Sequence, residues 1–397
     1  MSLKSNQSGF GGNFFFTSES VSEGHPDKLA DQISDAILDA CLREDPYSRV
    51  ACETLLSKEL VVIAGEITSK AKPNFEAIAR QVLRDVGYTN SAVGIDADNC
   101  ELKLSISQQA GDIARGVVES QRDETLGAGD QGLMFGFACD ETPELLPLPI
   151  SLAHRILGEL TRLRKSKAVD WLRPDAKSQV TVEYRDGRPW AIDTVVLSTQ
   201  HDESVELDEL KSFVEEKVIE PLLPRELLKR EPKLHINPTG RFVEGGPAAD
   251  CGLTGRKIIV DSYGGFARHG GGAFSGKDPT KVDRTAAYAA RHIAKNLVAA
   301  GLAQRCEVQV AYAIGVAEPV SILVETFGTS RYSSAELTAA VRSLFQLTPA
   351  AIIRNFQMRQ PIYRPLAVGG HFGREELSVG WEQLDRVGEL KAWFAGK

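Results

Sequence analysis

The 397 residues carry 46 Lys and Arg against 54 Asp and Glu, a formal net charge of −8, with 42% hydrophobic and 25% charged residues. That balance belongs to an ordinary globular chain and excludes a disordered or fibrous protein, and no apolar run approaches the roughly 20 residues that span a bilayer. An acidic total argues against non-specific nucleic-acid binding, so a site for any polyanion must be a local concentration of Lys and Arg.

The length predicts two or three domains. Residues 1–13 are polar and rich in Gly and Ser, with a single Lys and no apolar stretch, and read as a loose leader, not a signal peptide. Pro26–Arg43 carries Leu29, Ile33, Ala36, Ile37 and Cys41 at helical spacing, with Pro in the first turn. Two β-rich runs follow, Arg49–Leu56 and Leu60–Thr68, then a helical stretch Asn74–Val86 and a strand over Leu102–Ser107. The order recurs: a helix over Ser151–Arg164, strands Gln179–Tyr184 and Trp190–Thr199 around the turn pair Asp186-Gly187, a helix Glu206–Glu220 stopped by Pro221, and a closing strand Lys233–Ile236. It recurs again with a helix Lys281–Ala300 ending at Gly301, strands Cys306–Ala313 and Val320–Thr326, and a helix Ser334–Leu344.

The three leading helices open near residues 26, 151 and 281, so the pattern repeats every 125 to 130 residues. Antiparallel hairpins with helices on one face give an α+β architecture of three similar units, at 14–112, 125–240 and 242–385. The sheet faces without helices need a partner, and sheet-on-sheet packing within the chain or across a dimer supplies one. None of the six cysteines forms a Cys-x-x-Cys pair, which argues against a structural zinc site; Cys41 and Cys52 sit among apolar residues and read as buried reduced thiols, which with the absence of a targeting segment points to the cytoplasm.

The densest chemical signal is Asp261–Asp278, where six of 18 residues are glycine and Arg268, His269 and Lys277 are interleaved. Glycines let backbone N–H groups approach an anion closely, and Lys277 lies just ahead of a helix start. The run Gly271-x4-Gly276-Lys277 matches the start of a P-loop, but Asp278 stands where the Mg²⁺-binding hydroxyl belongs, so the loop reads as a phosphate cradle of another design. At the first helix start, Gly24-His25-Pro26-Asp27 sets an imidazole and a carboxylate two residues apart, able to face one pocket as phosphate contact and Mg²⁺ ligand. Asp31, Asp35 and Asp39 continue the same stripe and read as a solvated helix face. Asp130 sits in the glycine frame Gly127–Gly132. Lys177, Arg241, Arg256, Lys257, Lys277 and Lys281 gather positive charge in loops of an acidic chain. There is no Gly-x-Ser-x-Gly, no His-Glu-x-x-His and no Cys/His pair of recognisable spacing, so chemistry that needs only positioning and charge stabilisation fits best.

Phe16–Lys28, Gly127–Gly136, Trp171–Gln179, Ile236–Phe327 and His371–Glu375, in this order, resemble the S-adenosylmethionine synthetase family. The resemblance implies a pseudo-threefold fold of three α+β units with sheets packed at a dimer interface, and a homodimer or dimer of dimers with active sites between subunits. It implies attack of the methionine sulfur on C5′ of ATP and hydrolysis of the released tripolyphosphate to phosphate and pyrophosphate, with Mg²⁺ (two per site) and K⁺. By the same resemblance His25, Lys177, Arg256, Lys277 and Asp130 are catalytic, and His25, Asp175, Lys177, Arg241, Phe242, Asp250, Arg256, Lys257, Ala273 and Lys277 contact ATP. Methionine would meet Glu66, Gln109, Asp250 and Lys281; Asp27 and Asp283 would hold Mg²⁺ and Glu53 K⁺; and 109–120 resembles a gating loop. The rival reading is a non-catalytic nucleotide- or S-adenosylmethionine-binding regulatory subunit.

Overall fold

The computed structural model describes residues 12–108 and 126–395. The leader up to residue 11 and the whole of the expected gating loop, 109–120 with Gln109, lie outside the described residues.

In chain order the elements are β1 (Phe14–Val21), α1 (Pro26–Glu44), β2 (Arg49–Ser57), β3 (Leu60–Thr68), α2 (Phe75–Val86), the short pair β4 (Thr89–Asn90) and β5 (Ile95–Asp96), and β6 (Glu101–Ser107). Next come β7 (Gly132–Cys139), α3 (Leu148–Lys165), β8 (Leu172–Arg185), β9 (Arg188–His201), α4 (Leu207–Val214), β10 (Lys233–Ile236) and β11 (Gly252–Leu253). The last third holds α5 (Val282–Ala299), β12 (Arg305–Tyr312), β13 (Ser321–Glu325), α6 (Ser334–Leu344), α7 (Pro349–Asn355) and α8 (Val387–Phe394). Local signals explain most boundaries. Asn74 caps α2 by accepting from Ala77 N at 3.0 Å, and Gly87 ends it at φ 107°. Asp186 and Gly187 both take positive φ, as a two-residue hairpin turn with right-handed strand twist requires.

Three main sheets form, with strand orders β11-β2-β3-β6, β1-β8-β9-β10 and β13-β12-β7. Each is covered by a long helix: α1 on β2, α3 on β8 and α5 on β7 and β12. Two sheets are mixed, contrary to the purely antiparallel expectation. β6 runs parallel to β3 and β10 parallel to β9, because in each case the chain returns through a helix and not a tight turn.

Each sheet also contains a strand from another third of the chain. β1 precedes α1 but pairs with β8; β7 lies ahead of α3 but pairs with β12; β11 lies ahead of α5 but pairs with β2. The three exchanges form a cycle, and the apolar core runs continuously through all three units. On the strands, Phe15, Leu104, Leu133 and Leu323 remain 40–59% exposed, at least one in each of the three main sheets.

Candidate active site

The Ser22–His25 segment is laced onto the start of β8. Ser22 N donates to Ala176 O at 2.9 Å, Ser22 Oγ donates to Pro174 O at 2.8 Å, and Ala176 N donates to Ser22 Oγ at 2.9 Å. A Cβ at Gly24 would stand 2.4 Å from the Pro174 carbonyl, so only glycine permits this approach. The stitching brings His25, at the N-cap of α1, beside Asp175 and Lys177. Lys177 therefore projects from a strand and not from a loop, a correction to the sequence reading; it pairs in register with Val21 of β1.

His25 is 1% exposed. Its Nδ1 accepts from the backbone N–H of Asp27 at 3.2 Å, which assigns the ring proton to Nε2. Nε2 is buried without a hydrogen-bond partner, and the nearest carboxylate, Asp250 Oδ2, is 3.9 Å away. Burial first, then the charges of Lys257 and Lys177, push the imidazole down to about 3, so it is neutral at physiological pH. Its Nε2–H is a donor held beside two ammonium groups, an arrangement suited to an anionic oxygen.

Asp27 is fully buried. One oxygen accepts from Leu253 N at 2.9 Å and lies 3.3 Å from Arg256 Nε; the other meets Lys257 Nζ at 2.5 Å. Burial would raise its pKa, but the Lys257 and Leu253 hydrogen bonds outweigh it and leave the carboxyl below the usual range. Asp175 accepts from Gly246 N at 2.9 Å through one oxygen and leaves the other buried and unpartnered, and burial pushes it up to about 6. Gln200 accepts from Asp175 N at 3.3 Å and donates to Val243 O at 3.0 Å, tying this cluster to Phe242. Arg241 is exposed and its closest carboxylate, Glu203, lies 3.6 Å away.

A second cluster surrounds the glycine-rich loop. The 276–278 segment runs along the edge of β2: Cys52 N donates to Gly276 O at 2.9 Å and Asp278 N to Val50 O at 3.1 Å. A Cβ on Gly276, at φ 78°, would sit 1.9 Å from Cys52 O. Lys277 Nζ reaches Asp283 at 2.6 Å. Glu66 lies across β2 and β3 from Ala51, which itself bridges to Lys277, and Glu53 follows two residues on along the same exposed strand face. Gly129, the neighbour of Asp130, packs near Thr280 O, so Asp130 belongs to this end of α5. Ala273 and Gly255 are in close contact, which brings the Arg256-Lys257 turn up to the loop. Among the described residues no hydrogen bond or ion pair joins His25 to Lys277 directly.

Asp278 is not a ligand position. Its oxygens accept from Val50 N at 2.8 Å, from Thr280 N and Oγ1 at 2.9 and 2.7 Å, and from Lys281. Burial acts against its charge, but Lys281 and Arg49 overcome this and hold it down to about 2. Asp31, Asp35 and Asp39 overturn the expectation of a solvated face. All three are buried, and each receives a backbone N–H from a distant loop: Gly255 on Asp31, Gly276 on Asp35, Tyr363 and Arg364 on Asp39, all at 2.8–2.9 Å. One available signal was that α1 carries apolar residues on both sides of its acidic stripe, which leaves no face for water.

Among the described residues no group of three His, Cys, Asp or Glu side chains could hold an ion unaided. The chain matches three domains in succession: the S-adenosylmethionine synthetase N-terminal domain over residues 13–111, the central domain over 125–242 and the C-terminal domain over 244–383. The chain belongs to the S-adenosylmethionine synthetase family. It is accordingly an adenosyltransferase, and its α+β architecture of three open sheets is that of a three-domain S-adenosylmethionine synthetase. No helix among the described residues is long and apolar enough to cross a membrane.

Proposed function

We propose that the chain makes S-adenosylmethionine from ATP and L-methionine and then hydrolyses tripolyphosphate to phosphate and pyrophosphate. The observation that carries this reading is the neutral, buried His25, whose Nε2–H is unpartnered and whose Nδ1 edge faces Asp27 with its Lys257 and Arg256 contacts. A thioether sulfur has a lone pair and no proton to lose, so the transfer needs no general base. The S–C5′ bond forms as the C5′–O5′ bond breaks, and the electron pair leaves on the tripolyphosphate oxygen. His25 donates to that end of the leaving group, while Lys177, Arg256, Lys257, Lys277 and the Ala273 backbone offset the charge that builds along it. Asp130 lines the same space.

Asp175, Arg241 and Phe242 are the proposed nucleoside contacts, with the Phe242 ring for adenine. Glu66 and Asp250, with Gln109, take the methionine ammonium, and Lys281 takes its carboxylate. Asp27 and Asp283 fit Mg²⁺ as single carboxylates, the donor set that ion accepts when phosphate and water supply the rest. Glu53 is proposed for K⁺. Bound Mg²⁺ would neutralise phosphate charge. We further propose a homodimer or dimer of dimers with sites between subunits, supported by exposed Phe15, Leu104, Leu133 and Leu323 on the sheets. The cytoplasm is the proposed compartment, supported by six free cysteines, of which burial pushes Cys41 and Cys52 up to about 11 and 12.

The test is a purified preparation with ATP, L-methionine, Mg²⁺ and K⁺, assayed for S-adenosylmethionine, phosphate and pyrophosphate. Equal amounts of all three are expected. A chain that binds ATP but forms no S-adenosylmethionine overturns the reading in favour of the regulatory subunit.

A further inference from the structure

The guanidinium of Arg284, one residue beyond Asp283 on α5, is fully buried and uses every edge. Nη1 and Nη2 form a fork on Asp35 at 2.7 and 2.9 Å, Nη1 also donates to the carbonyls of Phe274 at 3.1 Å and Lys277 at 3.2 Å, and Nε donates to Tyr288 Oη at 3.0 Å. Asp35 accepts in addition from Gly276 N at 2.8 Å. The Asp35–Arg284 pair therefore holds the loop from both sides: the carboxylate takes its N–H and the guanidinium two of its carbonyls. Lys277 emerges from that clamped turn. Lys in place of Arg284 would keep the charge but lose the planar fork that spans two carbonyls and a carboxylate together. α1 is continuous from Asp27 to Asp35, so one rigid rod carries both the phosphate-facing carboxylate and the brace.

We infer that Asp35 and Arg284 are positioning residues for adenosyl transfer, acting through the backbone of residues 274–277 to aim Lys277. This rests on the proposed reaction. It separates the pair from a merely stabilising ion pair, because its influence on rate should pass through one side chain.

The experiment is a double-mutant cycle on the full chain, with Arg284→Lys and Lys277→Ala alone and combined. Arg284→Lys is expected to lower kcat about 10²-fold, the scale of a displacement near 1 Å. KM for methionine should change by less than about threefold. In the Lys277→Ala background the same substitution should cost less than about twofold. Losses that multiply in both backgrounds overturn the proposal. Should Arg284→Lys fail to fold, Tyr288→Phe removes the Nε contact together with the Tyr288 Oη–His371 Nδ1 hydrogen bond, and its smaller loss in rate, about threefold or more, must likewise vanish without Lys277. Calorimetric titration of tripolyphosphate in its non-hydrolysable imido-bridged form, with Mg²⁺, runs the same cycle without turnover. Wild-type protein that binds tripolyphosphate through this coupling but makes no S-adenosylmethionine refutes the reaction and not the brace. Wild-type protein that binds none, or a brace effect independent of Lys277, refutes the brace.

Discussion

Asp27 and His25 are joined by a hydrogen bond from the backbone N–H of the first to Nδ1 of the second, 3.2 Å long. One contact at a helix start thus settles the tautomer, and with it the presence of a free N–H at the other side of the ring. A side chain two residues from the acid that the same helix start exposes to cations becomes a neutral donor.

His25 should therefore contribute no titration to the rate near neutrality. Its pKa is lowered, by burial and then by Lys257 and Lys177, so the neutral form persists as pH falls from 8 to well below 6. A kcat profile measured in wild type and His25→Asn should differ in height, by roughly 10²–10³-fold, and not in shape. An acid limb near pH 6.5 that disappears in His25→Asn would contradict this.

Lys277→Ala should slow S-adenosylmethionine formation by roughly 10²–10³-fold, the usual cost of deleting a preorganised charge contact. Thermal unfolding should barely change, because Lys277 makes its ion pair at a partly exposed position. A loss below about tenfold would make the loop structural.

Two glycine substitutions should move stability in opposite directions. Gly276→Ala adds a Cβ 1.9 Å from Cys52 O at positive φ and is expected to cost about 2 kcal/mol or more. Gly158→Ala lies inside α3 with nothing within 4 Å and should stabilise by about 0.5–1 kcal/mol. Denaturant melts of the two variants decide the matter; equal shifts would refute the backbone argument.

Asp39 gives a signed pH effect. Burial raises its pKa to about 6, so the folded state holds its proton more tightly than the unfolded chain, whose value is near 3.8. Its contribution to stability is complete below about pH 4 and is lost as pH rises through about 6. Asp39→Asn lacks that slope, so its melting temperature should gain on wild type between pH 5 and pH 7.5. A difference that shrinks over that range would place the charge, not the proton, in the folded state.

Much of the fold was legible. Hydrophobic period placed nearly all the long helices and the hairpins β2–β3 and β8–β9, because amphipathic stripes and turn residues act over a few neighbours. The motifs Gly24-His25-Pro26-Asp27 and Gly276-Lys277 each fall inside one of the two clusters that the folded chain assembles. The acidic stripe of α1 misled, since spacing alone cannot say whether a carboxylate faces water or a loop 240 residues away. Arg284 carried no local signal at all, being a helical Arg among alanines.

The amino-acid sequence by itself determined which segments become helices and strands, where backbone conformation demands glycine, and which residue types could meet a polyphosphate. Only the tertiary structure decided the cyclic exchange of β1, β7 and β11 among the three sheets, and the burial of Asp31, Asp35 and Asp39 under distant backbone N–H groups. The physical reason is range. Local propensity and turn chemistry act between near neighbours, whereas strand pairing and the protonation state of a buried acid depend on partners brought together by long-range closure.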